Sequence, residues 1–156
     1  MNTRQAFIAK IQAHQGIVNK IVFLYADTKE DRKDLRQEIL AQAWRSYGRF
    51  RGDAKFSTWL YRVGLNVAIS SLRKKRPEHT GDIPERTQPA RSDSELLETI
   101  LQLLNPVEKS LVLLLIEGYQ QNEIAEMLDI SPSNTRVKIH RIRKKLDHHG
   151  IKELVE

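Results

Sequence analysis

The stretch QQNEIAEMLDISPSNTRVKIHRIRKKL, Gln120 to Leu146, holds two helical patterns separated by a short break. In the first, Ile124, Ala125 and Leu128 recur at helical spacing and form a small apolar face. "DIS", at 129–131, makes the turn. Ser131 followed by Pro132 predicts a new helix start, because a serine hydroxyl can accept from an orphan backbone N–H and proline at the first helical position gives up no needed donor. From there Thr135, Ile139, Ile142 and Leu146 fall on one stripe that faces a core. The opposite face carries Asn134, Arg136, Val137, His140, Arg141 and Lys144. This is the pattern of a helix-turn-helix. Its second helix has early side chains placed to reach base edges and later cations placed to hold phosphates.

Upstream, "NPVE" at 105–108 predicts another helix with Asn105 as N-cap, Pro106 at the first helical position and Glu108 closing a capping box. "SDSE" opens a preceding helix from about Asp93 to Leu104. Residues 93–156 therefore read as a small helical bundle built around the helix-turn-helix. Before it, "PEHTGDIPERTQPARS" contains three prolines and one glycine with no apolar periodicity, which marks 77–92 as a flexible linker.

Residues 1–76 form a second module. Ile17, Val18, Ile21, Val22 and Tyr25 share a stripe that Ile8 and Ile11 extend towards the N-terminus, predicting one first helix that ends near Asp27. Thr28 with Asp31 resembles a capping box for a second helix that runs to about Tyr47, with Leu35, Ile39 and Ala43 inward and Gly48 at its exit. A third helix starts at Ser57. Leu60, Val63, Gly64, Val67, Ala68, Ser71 and Leu72 make its buried stripe, and the small Gly64 and Ala68 permit close helix contact. Beside that stripe lie Trp59, Arg62, Asn66 and Arg73, leading into the basic run Arg73-Lys74-Lys75-Arg76. Aromatics interleaved with cations suit unpaired bases, although Trp59 is equally suited to anchoring the preceding loop, "FRGDAKF", to the core.

The chain of 156 residues carries a net charge of +6, but the charge is segregated. Residues 1–76 hold 16 Lys and Arg against 6 Asp and Glu, residues 77–130 hold 3 against 11, and residues 131–156 hold 7 against 3. Two basic modules flank an acidic middle. Such faces neutralise phosphates, so nucleic acid is the leading partner class, with an anionic membrane surface second. There is no cysteine, which removes disulfides, thiolate metal sites and cysteine nucleophiles. No apolar run is long enough for a membrane span and no secretory signal is visible, so the expectation is a cytoplasmic protein without membrane insertion.

Taken together, "DLRQEILAQAWRSYGRFRGDAKFSTWLYRVGLNVAISSLRKKRP" and, after the linker, "LNPVEKSLVLLLIEGYQQNEIAEMLDISPSNTRVKIHRIRKKL" resemble the extracytoplasmic-function class of bacterial RNA polymerase sigma factors. The resemblance implies an all-α protein of two small helical domains, region 2 at 1–76 and region 4 at 93–156, that directs promoter-specific initiation without being an enzyme. It implies docking on the polymerase β′ coiled coil through Leu35, Glu38, Gln42, Trp44 and Arg45, contact with the β flap, and control by an anti-sigma factor. It also implies minus-ten recognition and base capture by Arg51, Gly52, Asp53, Ala54, Lys55, Phe56, Trp59, Arg62, Asn66, Arg73 and Lys74. The minus-thirty-five element would fall to Asn134, Arg136, Val137, His140, Arg141 and Lys144. Asn134 stands where the family often has threonine and Val137 where it has a small polar residue, and Val137 could meet a thymine methyl.

Two other readings compete. One is a helix-turn-helix regulator that acts without joining polymerase, which leaves the N-terminal module unexplained. The other is a metal-dependent nuclease or phosphohydrolase using Asp31, Asp34 and Glu38, which share a helix face but have no second ligand cluster. The neighbouring His148 and His149 point about 100° apart on a helix and suit a helix C-terminus better than a metal. No cofactor is expected.

Overall fold

The computed structural model describes residues 2–75, 93–148 and 150, which form eight α-helices. The expected linker at 77–92, together with Arg76 and His149, lies outside the described residues. The chain divides into two compact units, Met1–Pro77 and Glu78–Glu156.

In the first unit the expected single leading helix is two, α1 (Thr3–Ala13) and α2 (Gln15–Tyr25). The break is at His14, whose φ of −121° leaves helical space, whose N–H donates to Ile11 O (3.0 Å) and whose Nδ1 lies 2.8 Å from Lys10 O. As a result Ile8 does not continue the α2 stripe and is 43% exposed. Phe7 takes the inward place, 5.1 Å between centroids from both Trp44 and Tyr47. Helix α3 (Lys29–Ser46) begins where Asp31 N–H donates to Thr28 Oγ1 at 3.1 Å, and it passes through a single 3-10 turn, Tyr47–Arg49, into the loop before α4 (Phe56–Lys75).

Helix α4 packs against both α2 and α3. Its buried face is therefore wider than a single stripe: Tyr61, Leu65 and Ile69 join Leu60, Gly64 and Ala68, while Val63, Val67, Ser71 and Leu72 are only half-buried. The expected inward residues of α2 and α3 hold, apart from Ile17, which is half-buried. Gly64 shows why a small residue is needed. A Cβ there would lie 2.6 Å from Ile21 Cδ1 and 3.6 Å from Ile39 Cγ2, so the helices approach at a distance that a side chain would deny them.

The second unit consists of α5 (Asp93–Leu103), α6 (Pro106–Ile116), α7 (Gln121–Leu128) and α8 (Pro132–His148). The capping box at α6 is complete: Glu108 N–H donates to Asn105 Oδ1 (2.8 Å) and Asn105 N–H donates to Glu108 Oε1 (3.0 Å). Lys145 Nζ, from α8, reaches the same Oε1 at 2.7 Å. Thr135, Ile139, Ile142 and Leu146 all enter the core. On α7, Met127 is buried with Ile124 and Ala125, whereas the expected Leu128 is half-buried, because this eight-residue helix is covered from two sides by α6 and α8.

Candidate nucleic-acid interface

The turn between α7 and α8 fixes how the basic helix is presented. Asp129 adopts the left-handed conformation (φ 56°), Ile130 N–H returns to Ala125 O at 3.0 Å, and Asn134 N–H donates to Ser131 Oγ at 3.1 Å. Thr135 contributes a further bond, its hydroxyl donating to Ser131 O at 2.9 Å from a fully buried position. With one face of α8 locked this way, Asn134, Arg136, Val137, His140, Arg141 and Lys144 are all exposed, and Val137 is 46% exposed although apolar. Val137 therefore takes no part in the core packing. Lys145 differs from Lys144: Glu108 draws it back towards the bundle.

In the first unit Arg51, Gly52, Asp53, Ala54 and Lys55 form an exposed loop. Gly52 has a φ of 80° with nothing within 4 Å of a notional Cβ, so glycine is there for its backbone and the site is open to a ligand. The loop is footed on aromatic rings. Phe50, Phe56 and Trp59 lie within 5.3–5.8 Å of one another, Tyr47 is 6.2 Å from Phe50 and Trp59, and the His14 ring is 5.0 Å from Phe56. This corrects one expectation. Phe56 is buried and supports the loop from beneath, so it cannot offer a free face to a base, and Trp59, half-buried, anchors the loop as well as bordering it. Arg62, Asn66, Arg73 and Lys74 are exposed along α4.

A residue not singled out from the sequence completes this cluster. Lys10 Nζ lies 5.3 Å from the Phe50 centroid and 5.7 Å from those of Tyr47 and Phe56. The signal was present, since Phe7, Lys10 and His14 follow one another at i, i+3 and i+7 and share a helix face.

Between α3 and α4 runs a groove of about 870 Å³ whose lining joins two predicted sets, Glu38, Gln42 and Arg45 from one helix and Asn66 and Lys74 from the other. Arg45 Nη2 donates to Gln42 Oε1 (2.9 Å) and Gln42 Nε2 donates to Ser46 Oγ (3.0 Å), so the polar rim is held in place. Trp44 is 45% exposed. Leu35 is not available on this surface: it is 6% exposed and belongs to the core, where its place on the buried stripe with Ile39 and Ala43 puts it. Among the described residues no group of three His, Cys, Asp or Glu could hold a metal ion, and no helix is long and apolar enough to cross a membrane.

Comparison with known proteins places both units. Residues 11–78 match the sigma-70 region 2 family and residues 94–146 match sigma-70 region 4. Over 92% of its length the chain is 27% identical to the RNA polymerase sigma-H factor of Pseudomonas aeruginosa, covering 86% of that protein. It is 25% identical to the ECF RNA polymerase sigma factor SigW of Bacillus subtilis, over 92% of this chain and 88% of the relative. The ECF sigma-E factor of Escherichia coli is 26% identical, with 93% and 86% covered. Among solved structures, the sigma factor RpoE in complex with the anti-sigma factor NepR from Bartonella quintana shares the fold with a TM-score of 0.71 at 18% identity, covering 93% of this chain and 96% of that one. CnrH in complex with the cytosolic domain of CnrY gives 0.64 at 23% identity, with 94% and 88% covered.

Proposed function

Because the chain belongs to the extracytoplasmic-function sigma factors of bacterial RNA polymerase and directs transcription initiation, we propose that its two units divide promoter recognition, 1–76 taking the minus-ten element and 93–156 the minus-thirty-five element. The observation that carries this reading is the presence of two exposed basic surfaces, each mounted on its own capped helical scaffold. On α8, Arg136, Val137, His140 and Arg141 face base edges while Asn134 and Lys144 hold phosphates. In the first unit, Arg51 to Lys55 with Asn66 receive the opened minus-ten strand, and Arg62, Arg73 and Lys74 follow its backbone.

Trp44 and the groove rim of Glu38, Gln42 and Arg45 are the docking surface for the β′ coiled coil, and the second unit meets the β flap. Asn66 and Lys74 line the same groove, so polymerase docking and strand capture adjoin on one surface. An anti-sigma factor would restrain the protein, as the anti-sigma factor NepR is bound by the sigma factor RpoE of similar fold, and the protein's place of work is the cytoplasm. Permanganate footprinting of the holoenzyme on a cognate promoter, paired with hydroxyl-radical footprinting of the duplex, tests the division of labour. Asn66→Ala should reduce thymine reactivity around the minus-ten element with minus-thirty-five protection intact, and Arg136→Ala should do the reverse.

A further inference from the structure

Lys10 lies one residue before the stretch matched to sigma-70 region 2, and nothing in the division of labour above uses it. Its ammonium is held over three rings at 5.3–5.7 Å, all three belonging to the foot of the loop, and the side chain is exposed. Among the described residues no carboxylate pairs with it. Aromatic faces orient a cation without neutralising it, so the full charge stays available to an anion. The surroundings are of the same sign: Arg49, Arg51 and Lys55 are exposed in the adjoining segment, against the single acid Asp53. The helix turn that carries Lys10 is also fixed, since His14 both contacts Lys10 O through Nδ1 and packs its ring on Phe56.

We infer that Lys10 is a DNA-contacting residue, its ammonium held by the rings of Tyr47, Phe50 and Phe56 to bind a backbone phosphate of the single strand that the loop receives. This rests on the assignment of the loop to the minus-ten strand. A strand received by the exposed loop needs cations beside the loop, and α1 supplies one from the N-terminal side in sequence, opposite Arg62 and Arg73. The contact is made to phosphate, so it adds affinity without base preference.

The test uses holoenzyme reconstituted with core polymerase and a fluorescent single-stranded DNA carrying the non-template minus-ten strand of a promoter it transcribes, titrated across a salt series. Each phosphate contact to a single strand contributes about 0.7 to the slope of log affinity against log salt. Lys10→Met keeps the apolar stem and removes the charge. It should lower the slope by about 0.7 and weaken binding at ~0.1 M salt about five-fold relative to ~1 M, with the thermal melt of the chain unchanged. Lys10→Arg should keep both slope and affinity. Arg51→Ala, on the loop itself, should also weaken binding. If Arg51→Ala weakens binding and Lys10→Met leaves the slope alone, Lys10 only packs on the rings and the inference is overturned. Equal loss in Lys10→Arg and Lys10→Met would overturn it too, since charge would not be the cause. Unchanged binding in Arg51→Ala and Asn66→Ala would instead remove the assignment of the loop.

Discussion

Glu108 and Lys145 are unequal partners, and their inequality fixes the order in which their substitutions should hurt. The Glu108 side chain is 6% exposed and that of Lys145 is 40% exposed, with 2.7 Å between Oε1 and Nζ. Lys145→Met leaves a largely buried carboxylate whose one remaining described bond is that from Asn105 N–H. Stranding one member of a buried pair costs about 3–5 kcal/mol, and the surviving cap bond brings the expectation here to about 2–3 kcal/mol. Glu108→Ala frees Lys145 to turn into solvent and leaves Asn105 N–H to water, so the loss is mainly hydrogen bonding, about 1–2 kcal/mol. The double substitution Glu108→Gln with Lys145→Met retains an acceptor for the cap and strands no charge. It should be more stable than Lys145→Met alone. Urea denaturation followed by far-UV circular dichroism measures the series, and tryptophan emission serves as a control because Trp44 and Trp59 both lie in the first unit. A double variant no more stable than Lys145→Met alone, or a larger loss from Glu108→Ala than from Lys145→Met, would refute the reasoning.

Arg136→Ala or His140→Ala should cost about 1–3 kcal/mol of promoter binding and relax preference at one or two positions of the minus-thirty-five element, whereas Lys144→Ala should weaken all sequences alike and reduce the salt slope by about 0.9. Competition binding against a set of singly substituted elements separates the two patterns. Asn66→Ala should slow open-complex formation on duplex DNA, and a template with an unpaired minus-ten region should recover part of the rate; equal defects on both templates would confine Asn66 to binding of the captured base. Gly64→Val should destabilise the first unit by about 1–3 kcal/mol, because its side chain must displace Ile21 in a filled core, and an unchanged urea midpoint by tryptophan emission would contradict that packing.

The second unit was the more legible in sequence because local rules decide it. Thr135, Ile139, Ile142 and Leu146 follow the helix repeat without interruption, and the caps at Asn105 and Ser131 are made by residues three positions away. Where the deciding contact comes from a distant element, periodicity misleads. Ile8 and Ile11 continue the α2 stripe on paper, yet Phe7 wins the inward place through Trp44 and Tyr47, more than thirty residues on, and the helix breaks at His14. The same holds for the site. The charged face of α8 lies on one element and could be seen at once, but Lys10 meets rings that come from a loop segment at 47–56, far along the chain, and the groove is shared by α3 and α4. Leu35 and Phe56 sit within motifs that point to function while their side chains serve the core, a distinction that only burial reveals.

Run-off transcription from a library of bacterial promoter fragments, with core polymerase, this protein, or both, tests the central claim most directly. Discrete transcripts should appear only when both are present, and they should start at promoters that share one minus-ten and one minus-thirty-five sequence. Purified protein that binds promoter DNA but never changes which fragments core polymerase transcribes would contradict the account.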